Sequence, residues 1–169
     1  MADIAFLLLI FFLVVTTIET DEGINQKLAE DCTECPIIDK YERNILRVIM
    51  NANNDLFIED KLASVGSIKK LTKNFIDNNG DKSCSYCNGK SATESSDNPL
   101  TAIVSLQHDR QTDYKFYVTV LNELVAAYTE LREEYAIQNY KKPLALLSKQ
   151  EMKEVRENYP RLISEARTD

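Results

Sequence analysis

Residues 113–140 read DYKFYVTVLNELVAAYTELREEYAIQNY, and they lie in a stretch from Leu100 to Lys142 that contains neither glycine nor proline. Their apolar side chains recur at three- and four-residue steps and form one broad face: Phe116, Tyr117, Val120, Leu121, Leu124, Ala127, Tyr128, Leu131 and Tyr135. This spacing is typical of an amphipathic α-helix. The sequence therefore predicts one long helix, re-capped at Asp113.

Shorter segments on the N-terminal side also have helical spacing. Pro36 suits the first turn of a helix, and Asp55 and Ser67 are placed to begin two more. The run Asp77–Asp81, which reads DNNGD, is a strong stop for the third of these segments. Asn98–Pro99 signals the start of the long helix.

A last helix is predicted near the C-terminus. Ser148 and Glu151 have the spacing of a capping box, and Pro160 ends the segment. The four glycines and four prolines in the chain are too few for a turn-rich β-sandwich. The expected fold class is therefore all-α, a disulfide-stapled bundle of about five helices.

Composition divides the chain into a leader and one domain. Residues 1–20 form the predicted signal peptide, and residues 21–169 form a single helical domain. Within this domain we expect cysteine-stapled helices over 21–90, an exposed loop rich in Gly, Ser, Thr, Asp and Asn over 88–98, and the long helix plus the C-terminal helix over 99–169.

The leader determines the predicted location. Residues 4–15, IAFLLLIFFLVV, are uniformly apolar, and acidic residues follow at Glu19, Asp21 and Glu22. This outline is that of a secretory signal peptide and predicts a secreted protein. A membrane anchor is the alternative, but a spanning helix needs about 20 apolar residues and the run is shorter.

The chain has four cysteines, arranged as two CxxC pairs: Cys32 with Cys35, and Cys84 with Cys87. In a secreted protein they are expected to form two disulfides. Three connectivities are possible, and we favour Cys32 with Cys87 and Cys35 with Cys84, the pattern expected if helices on either side pack antiparallel.

Zinc binding is an alternative reading of the same cysteines. Four thiolates are a common structural zinc set, although the separation between the two pairs exceeds that of zinc ribbons and an oxidising compartment removes free thiolates. Redox catalysis is a weaker alternative, because the strand–helix–strand pattern of thioredoxins is missing. We expect no metal and no cofactor.

Enzymatic activity is not predicted. His108 is the single histidine, so a Ser-His-Asp or Cys-His triad would have to use it, and an enzyme would need a pocket around it. No nucleophile elbow, phosphate-binding loop or HExxH pattern occurs. We therefore assign no catalytic residue.

Charge excludes polyanion binding. The formal net charge is −7, and basic residues cluster only as the pairs Lys69-Lys70 and Lys141-Lys142. A nucleic-acid-binding face would need an extended basic surface. We expect no nucleic-acid partner.

Tyrosines are the best candidates for protein contacts. The chain has eight tyrosines and no tryptophan, and tyrosine is enriched in interfaces. Tyr86, Tyr114 and Tyr140 are the binding candidates, whereas the spacing of Tyr117, Tyr128 and Tyr135 favours the core. Tyr86, between two cysteines, is expected either to pack over the sulfurs or to project towards a partner.

Two family resemblances accompany these motifs. The leader and the element Cys84-Ser85-Tyr86-Cys87 resemble the cysteine-tyrosine-cysteine elements of the aphid "bicycle" secreted effectors. The stretch from Cys32 to Cys87 is similar to a saposin-like module. The first resemblance implies a secreted, non-enzymatic factor of salivary, venom or effector type that binds an extracellular or host protein. The second implies a lipid-binding or membrane-active protein, which we do not favour.

Overall fold

The computed structural model describes residues 2–15 and 42–168. The helices are α1 (Ala2–Val15), α2 (Val65–Ile76), α3 (Tyr114–Tyr140) and α4 (Lys149–Asn158), and the strands are β1 (Ile45–Met50), β2 (Leu56–Ile58), β3 (Lys61–Ala63), β4 (Ile103–Asp109) and β5 (Ile163–Thr168). Short 3₁₀ turns cover Glu42–Asn44 and Leu144–Leu146.

The five strands form one mixed sheet in the order β3-β2-β1-β4-β5. β1 pairs in parallel with β4, and β4 pairs in parallel with β5, whereas β2 and β3 form an antiparallel hairpin on the other side of β1. Each parallel pair needs a long connection between its strands. Helices α3 and α4 lie in the connection from β4 to β5.

The core lies on one face of the sheet. Burial alternates along β1, where Val48 and Met50 are fully buried and Arg47 is exposed. The buried strand residues join one apolar cluster with side chains of α2 and α3, including Ile68 and Tyr128. A strand with one buried face and a helix with one apolar stripe account for this two-layer packing.

The predicted all-α fold is wrong, because the chain forms a mixed α/β structure. The error begins at residues 45–50, ILRVIM, where Ile45, Val48 and Ile49 also fit a helical stripe. A short apolar run does not distinguish a strand from a buried helix by periodicity. The segment after Asp55 likewise forms β2 and β3, and the helix expected from Pro99 is preceded by β4.

The strongest helical signals are confirmed. Asp113 caps α3, and its side chain accepts a hydrogen bond from the backbone N–H of Lys115. Ser148 and Glu151 form the predicted capping box of α4, and α2 ends before Asp77. Capping chemistry identified these helices because it depends on local residues alone.

Helix α1 differs in character from the other three helices. Its large apolar side chains from Ile4 to Phe11 are between 41% and 65% exposed. Among the described residues, none of the helices combines the length and the apolarity needed to cross a bilayer.

Candidate functional site

A long loop between α2 and β4 forms one side of the candidate site. Residues 77–98, which we call the cysteine loop, contain neither helix nor strand. The side chain of Asn78 donates to the carbonyl oxygens of Ala92 and Ser96, each at 2.8 Å. These hydrogen bonds join the start of the cysteine loop to its last third. Its end is also buried, because Ser96 and Asp97 are 0% and 7% exposed.

The disulfide in this loop joins Cys84 to Cys87. The favoured pairing of Cys32 with Cys87 and Cys35 with Cys84 is therefore not the one that the structure contains. Residues 84–87 form a turn that brings the two Cα atoms within 5.6 Å, so each cysteine finds its partner locally. Cys32 and Cys35 lie outside the described residues.

The same bond argues against zinc, because two oxidised cysteines provide no thiolate ligand. Among the described residues, no group of three or more histidine, cysteine or acidic side chains is placed to hold a metal ion.

Tyr86 packs against the protein. Its ring meets the rings of Tyr135 and Tyr159 edge to face, with centroids 5.2 and 5.4 Å away, and its hydroxyl donates to the carbonyl oxygen of Asn158 at 2.9 Å. The ring thus packs against α3 and the end of α4, which is neither the expected packing over the sulfurs nor a projection towards a partner. Tyr86 thereby attaches the cysteine loop to the helical layer.

A buried carboxylate lies beneath this aromatic cluster. Asp77 is 8% exposed, accepts a hydrogen bond from the hydroxyl of Tyr159 at 2.7 Å and accepts another from the backbone N–H of Asn88 at 2.9 Å. Burial raises the pKa of Asp77 although both hydrogen bonds oppose this shift. Burial, together with the hydrogen bond to Asp77, also raises the pKa of Tyr159.

A groove of 940 Å³ opens beside the cysteine loop. It lies between β1, the β2–β3 hairpin, the second half of α2 and residues 88–95. Buried apolar side chains form its floor, namely Leu46, Ile58, Phe75 and Leu131. Its rim carries charges of both signs, including Arg43, Glu59, Lys61, Lys73, Lys90 and Glu94. An apolar floor with a charged rim is typical of a site that binds a segment of another chain.

The groove exists because the β2–β3 hairpin is short. β2 pairs with β1 only from Val48 to Met50, so β1 extends beyond its neighbour at the N-terminal end. The carbonyl oxygen of Arg47 accepts from the N–H of Glu59 on the hairpin side, and Ile45, two residues earlier, turns its backbone to the same side. No strand among the described residues pairs with Ile45 there.

One hydrogen bond shows how this strand edge is completed. The backbone N–H of Arg47 donates to the side-chain carboxylate of Glu59 at 2.7 Å. A carboxylate thus takes the place that a neighbouring strand's carbonyl would occupy. With Arg47 already bonded to Glu59, Ile45 is the described position of β1 where an extended segment can add to the strand beside the apolar floor.

Ion pairs fix the walls of the groove. Arg43 pairs with Asp97 at 2.7 Å, which joins the start of β1 to the end of the cysteine loop. Lys73 on α2 pairs with Glu134 at 2.6 Å and with Glu130 at 3.1 Å, both on α3. The groove walls are therefore held by elements distant in sequence.

The other tyrosine candidates lie away from the groove. Tyr114 is 77% exposed at the start of α3 and stacks on Tyr117, with centroids 6.3 Å apart. Tyr140 is half-buried at the other end of α3 and packs against the core. His108 contacts Tyr117 edge to face at 5.2 Å, and it does not line the groove.

Sequence reasoning missed the groove, Asp77 and Asp3. Asp77 was read as part of a helix stop, and only its burial identifies it as a structural centre of the loop. Asp3 is the one ionisable residue of α1 and lies just before the apolar run that suggested a signal peptide. An acidic residue at the start of an apolar helix was the available signal.

The comparison with protein families gives a match that covers most of the chain. No curated protein matches the chain. The model of the family described as Biopolymer transport protein ExbD/TolR matches residues 1–132, which include α1, β1 to β4, α2 and most of α3.

This match corrects the functional predictions. The resemblances to aphid effectors and to saposin-like modules are wrong, because they rested on short cysteine motifs whereas the match spans 132 residues. Secretion is wrong as well, since the family is anchored in the inner membrane with a periplasmic domain. A binding factor for an extracellular or host protein, a lipid carrier and a zinc protein are not supported either.

The apolar segment that suggested a signal peptide lies inside the matched region, at its first residues. The match continues through the sheet and the cysteine loop. Because it covers 132 of the 169 residues, this chain belongs to the ExbD/TolR family.

Proposed function

We propose that this protein is a membrane-anchored component of an energy-transducing complex for biopolymer transport. The observation that carries the proposal is the family match, because it includes both the apolar helix and the folded part that contains the groove. Family members work with ExbB/TolQ and TonB/TolA proteins in the cell envelope, and we expect partners of those two classes.

Helix α1 is the proposed anchor. Its 14 described residues are fewer than a membrane-spanning helix needs, so the proposal rests on its exposed apolar surface and on the family match. Seven of its large apolar side chains are exposed, and burying each in an apolar phase stabilises by about 1.5–3 kcal/mol. Such a surface is unfavourable in water and favourable among lipid chains. The disulfide in the folded part is consistent with an oxidising periplasm on the outer side of the membrane.

Asp3 is the residue we assign to energy coupling. An ionisable side chain in a membrane helix is costly, and such residues line ion paths or face partner helices. Asp3 is the one ionisable residue of an otherwise apolar α1, so it is the residue of this helix that fits an ion path or a contact with a partner helix.

The groove is the proposed docking site for an extended segment of a partner protein. The exposed backbone edge of β1 at Ile45 provides hydrogen bonds, and the apolar floor receives alternate side chains. We propose no enzymatic activity, since ExbD/TolR is not an enzyme family.

The coupling role is tested by Asp3→Asn in cells whose own gene copy is deleted. The variant should remain in the membrane fraction and lose gradient-driven transport. Asp21→Asn, which removes the same charge beyond the apolar run, is the control and should retain transport. Full transport by the Asp3→Asn protein would refute the assignment.

The groove is tested by photo-crosslinking in intact cells. A photoreactive amino acid at Leu62, which is 71% exposed and lines the groove, should capture a partner protein of the envelope. Leu146, which is 70% exposed and lies elsewhere, is the matched control. Equal crosslinking at the two positions would exclude a docking site in the groove.

A further inference from the structure

We propose that the Cys84–Cys87 disulfide is a thiol-exchange site whose redox state controls how the cysteine loop packs against α3 and α4. The proposal goes beyond partner docking and concerns a chemical modification of the loop. Its partner in the reaction is a protein dithiol of the oxidoreductase class.

The size of the disulfide ring argues against a purely stabilising role. The two cysteines are three positions apart, so the bond closes a very small loop. A cross-link restricts the unfolded chain more when it closes a longer loop. This bond therefore constrains the unfolded chain little, whereas CxxC pairs are common among exchangeable disulfides.

The loop is also held by contacts that do not need the disulfide. The side chain of Asn79 accepts from the backbone N–H of Cys84 at 3.0 Å and donates to the carbonyl oxygen of Cys84 at 2.9 Å. Asp81 accepts from the N–H of Ser83 at 3.0 Å. The reduced loop can thus keep its course near Cys84 while the turn to Cys87 is released.

The two cysteine residues differ in exposure. Cys84 is 9% exposed, whereas Cys87 is half-buried and more accessible. A thiolate of the dithiol reductant therefore attacks Sγ of Cys87, the S–S bond breaks, and Cys84 leaves as a thiolate that takes a proton. The second thiol of the reductant then attacks the mixed disulfide and releases Cys87 as a thiol. Two electrons and two protons pass to the protein, and the reductant becomes a disulfide.

Tyr86 transmits the change to the rest of the molecule. It lies between the cysteines and contacts Tyr135, Tyr159 and the carbonyl oxygen of Asn158. The next stretch of the loop is fixed by the hydrogen bond from Asn88 to Asp77. Opening the four-residue ring frees the backbone on both sides of Tyr86, so the aromatic contact and the Asn88 hydrogen bond weaken together.

The first test is reduction of the full chain in detergent under native conditions. About 1 mM dithiothreitol should reduce Cys84 and Cys87 while the protein stays folded. Alkylation followed by peptide mapping separates these cysteines from Cys32 and Cys35. A disulfide that opens only after the protein unfolds would overturn the proposal.

The second test is hydrogen exchange of the same sample before and after reduction. The amide of Asn88 should exchange about tenfold faster in the reduced protein, and amides in the centre of α3 should not change. The Cys84→Ser/Cys87→Ser protein should match the reduced form, and Tyr86→Ala should give the same fast exchange in the oxidised form. Unchanged exchange at Asn88 after complete reduction would show that the disulfide does not control loop packing.

Discussion

At the scale of single residues, Asp77 determines how the cysteine loop meets the helical layer. Its two carboxylate oxygens accept from the hydroxyl of Tyr159 and from the N–H of Asn88, so one buried group joins α2, the loop and the end of α4. A buried carboxylate is costly unless its hydrogen bonds are made. The arrangement is therefore sensitive to the loss of either donor.

Removing the Tyr159 hydroxyl should lower the free energy of unfolding. In Tyr159→Phe the ring keeps its place but one oxygen of Asp77 loses its donor, and we expect a loss of about 1–3 kcal/mol in the free energy of unfolding. The measurement is urea denaturation of the full chain in detergent. Tyr128→Phe is the control, because that ring is also buried but its hydroxyl makes only a 3.5 Å contact with the carbonyl oxygen of Leu162. Equal losses in the two variants would contradict this role of Asp77.

Acid should destabilise the start of α4, because it protonates the carboxylate of Glu151. Its side chain accepts from the backbone N–H of Ser148 at 2.7 Å, and hydrogen bonds to Ser148 and Lys142 lower the pKa of Glu151 to about 2. The pKa of Glu151 is lower in the folded protein than in the unfolded chain. Between about pH 2 and pH 4.5 the unfolded chain therefore binds more protons than the folded protein. The stabilisation is therefore complete above about pH 4.5 and is lost as the pH falls towards 2.

Glu151→Gln tests this dependence. The glutamine keeps an acceptor for the Ser148 N–H but does not titrate, so unfolding measured from pH 5 to pH 2 should show a shallower loss of stability. Glu157→Gln in the same helix, where Glu157 makes only an exposed pair with Lys153 at 3.7 Å, is the control. Equal slopes for wild type and Glu151→Gln would disprove the prediction.

At the scale of elements, alanine substitutions at two glycines should change the stability in opposite directions. A Cβ at Gly89 would overlap the backbone of Asp77 and Asn78, so Gly89→Ala must displace the cysteine loop. A Cβ at Gly66, in the first turn of α2, has no atom within 4 Å. We expect Gly89→Ala to cost about 2 kcal/mol or more and Gly66→Ala to stabilise by up to about 1 kcal/mol. Thermal unfolding of both variants measures this, and equal effects would contradict the close packing at Gly89.

The elements also show what the sequence could predict. Capping residues such as Asp113 and Ser148 identified α3 and α4 because a cap is a local interaction. Strands β2 and β3 were missed because they have three residues each, too few for an alternating pattern to emerge. The parallel pairing of β1 with β4 joins residues more than 50 positions apart and leaves no local signal.

The groove was unpredictable for a related reason. It arises where the hairpin is shorter than β1, a property of strand pairing rather than of any motif. Tyr86 and the cysteines were visible in the sequence, but their partners were not. The contacts of Tyr86 with Tyr135 and Tyr159 depend on how the loop returns to the helices.

At the scale of the whole molecule, the apolar helix and the folded part make separate contributions. The core cluster runs from Leu46 to Tyr159 and includes no residue of α1. The described residues of α1, the proposed anchor, are therefore not part of this core. Residues 42–168 carry the sheet, the cysteine loop and the groove within one packed unit.

A fragment that starts at Glu42 should consequently fold without α1. We expect cooperative thermal unfolding and a free energy of unfolding within about 1 kcal/mol of that of the same part in the full chain, since the core cluster contains no described residue of α1. Near-ultraviolet circular dichroism of the tyrosines and urea denaturation measure this.

If the groove is the docking site, the fragment exported to the periplasm should also compete for the partner and reduce transport by the intact protein. The fragment with Leu46→Asp, which places a charge in the groove floor, should not reduce transport. A fragment that lacks cooperative unfolding would show that the N-terminal residues complete the fold, and the groove would then have to be studied in the full chain.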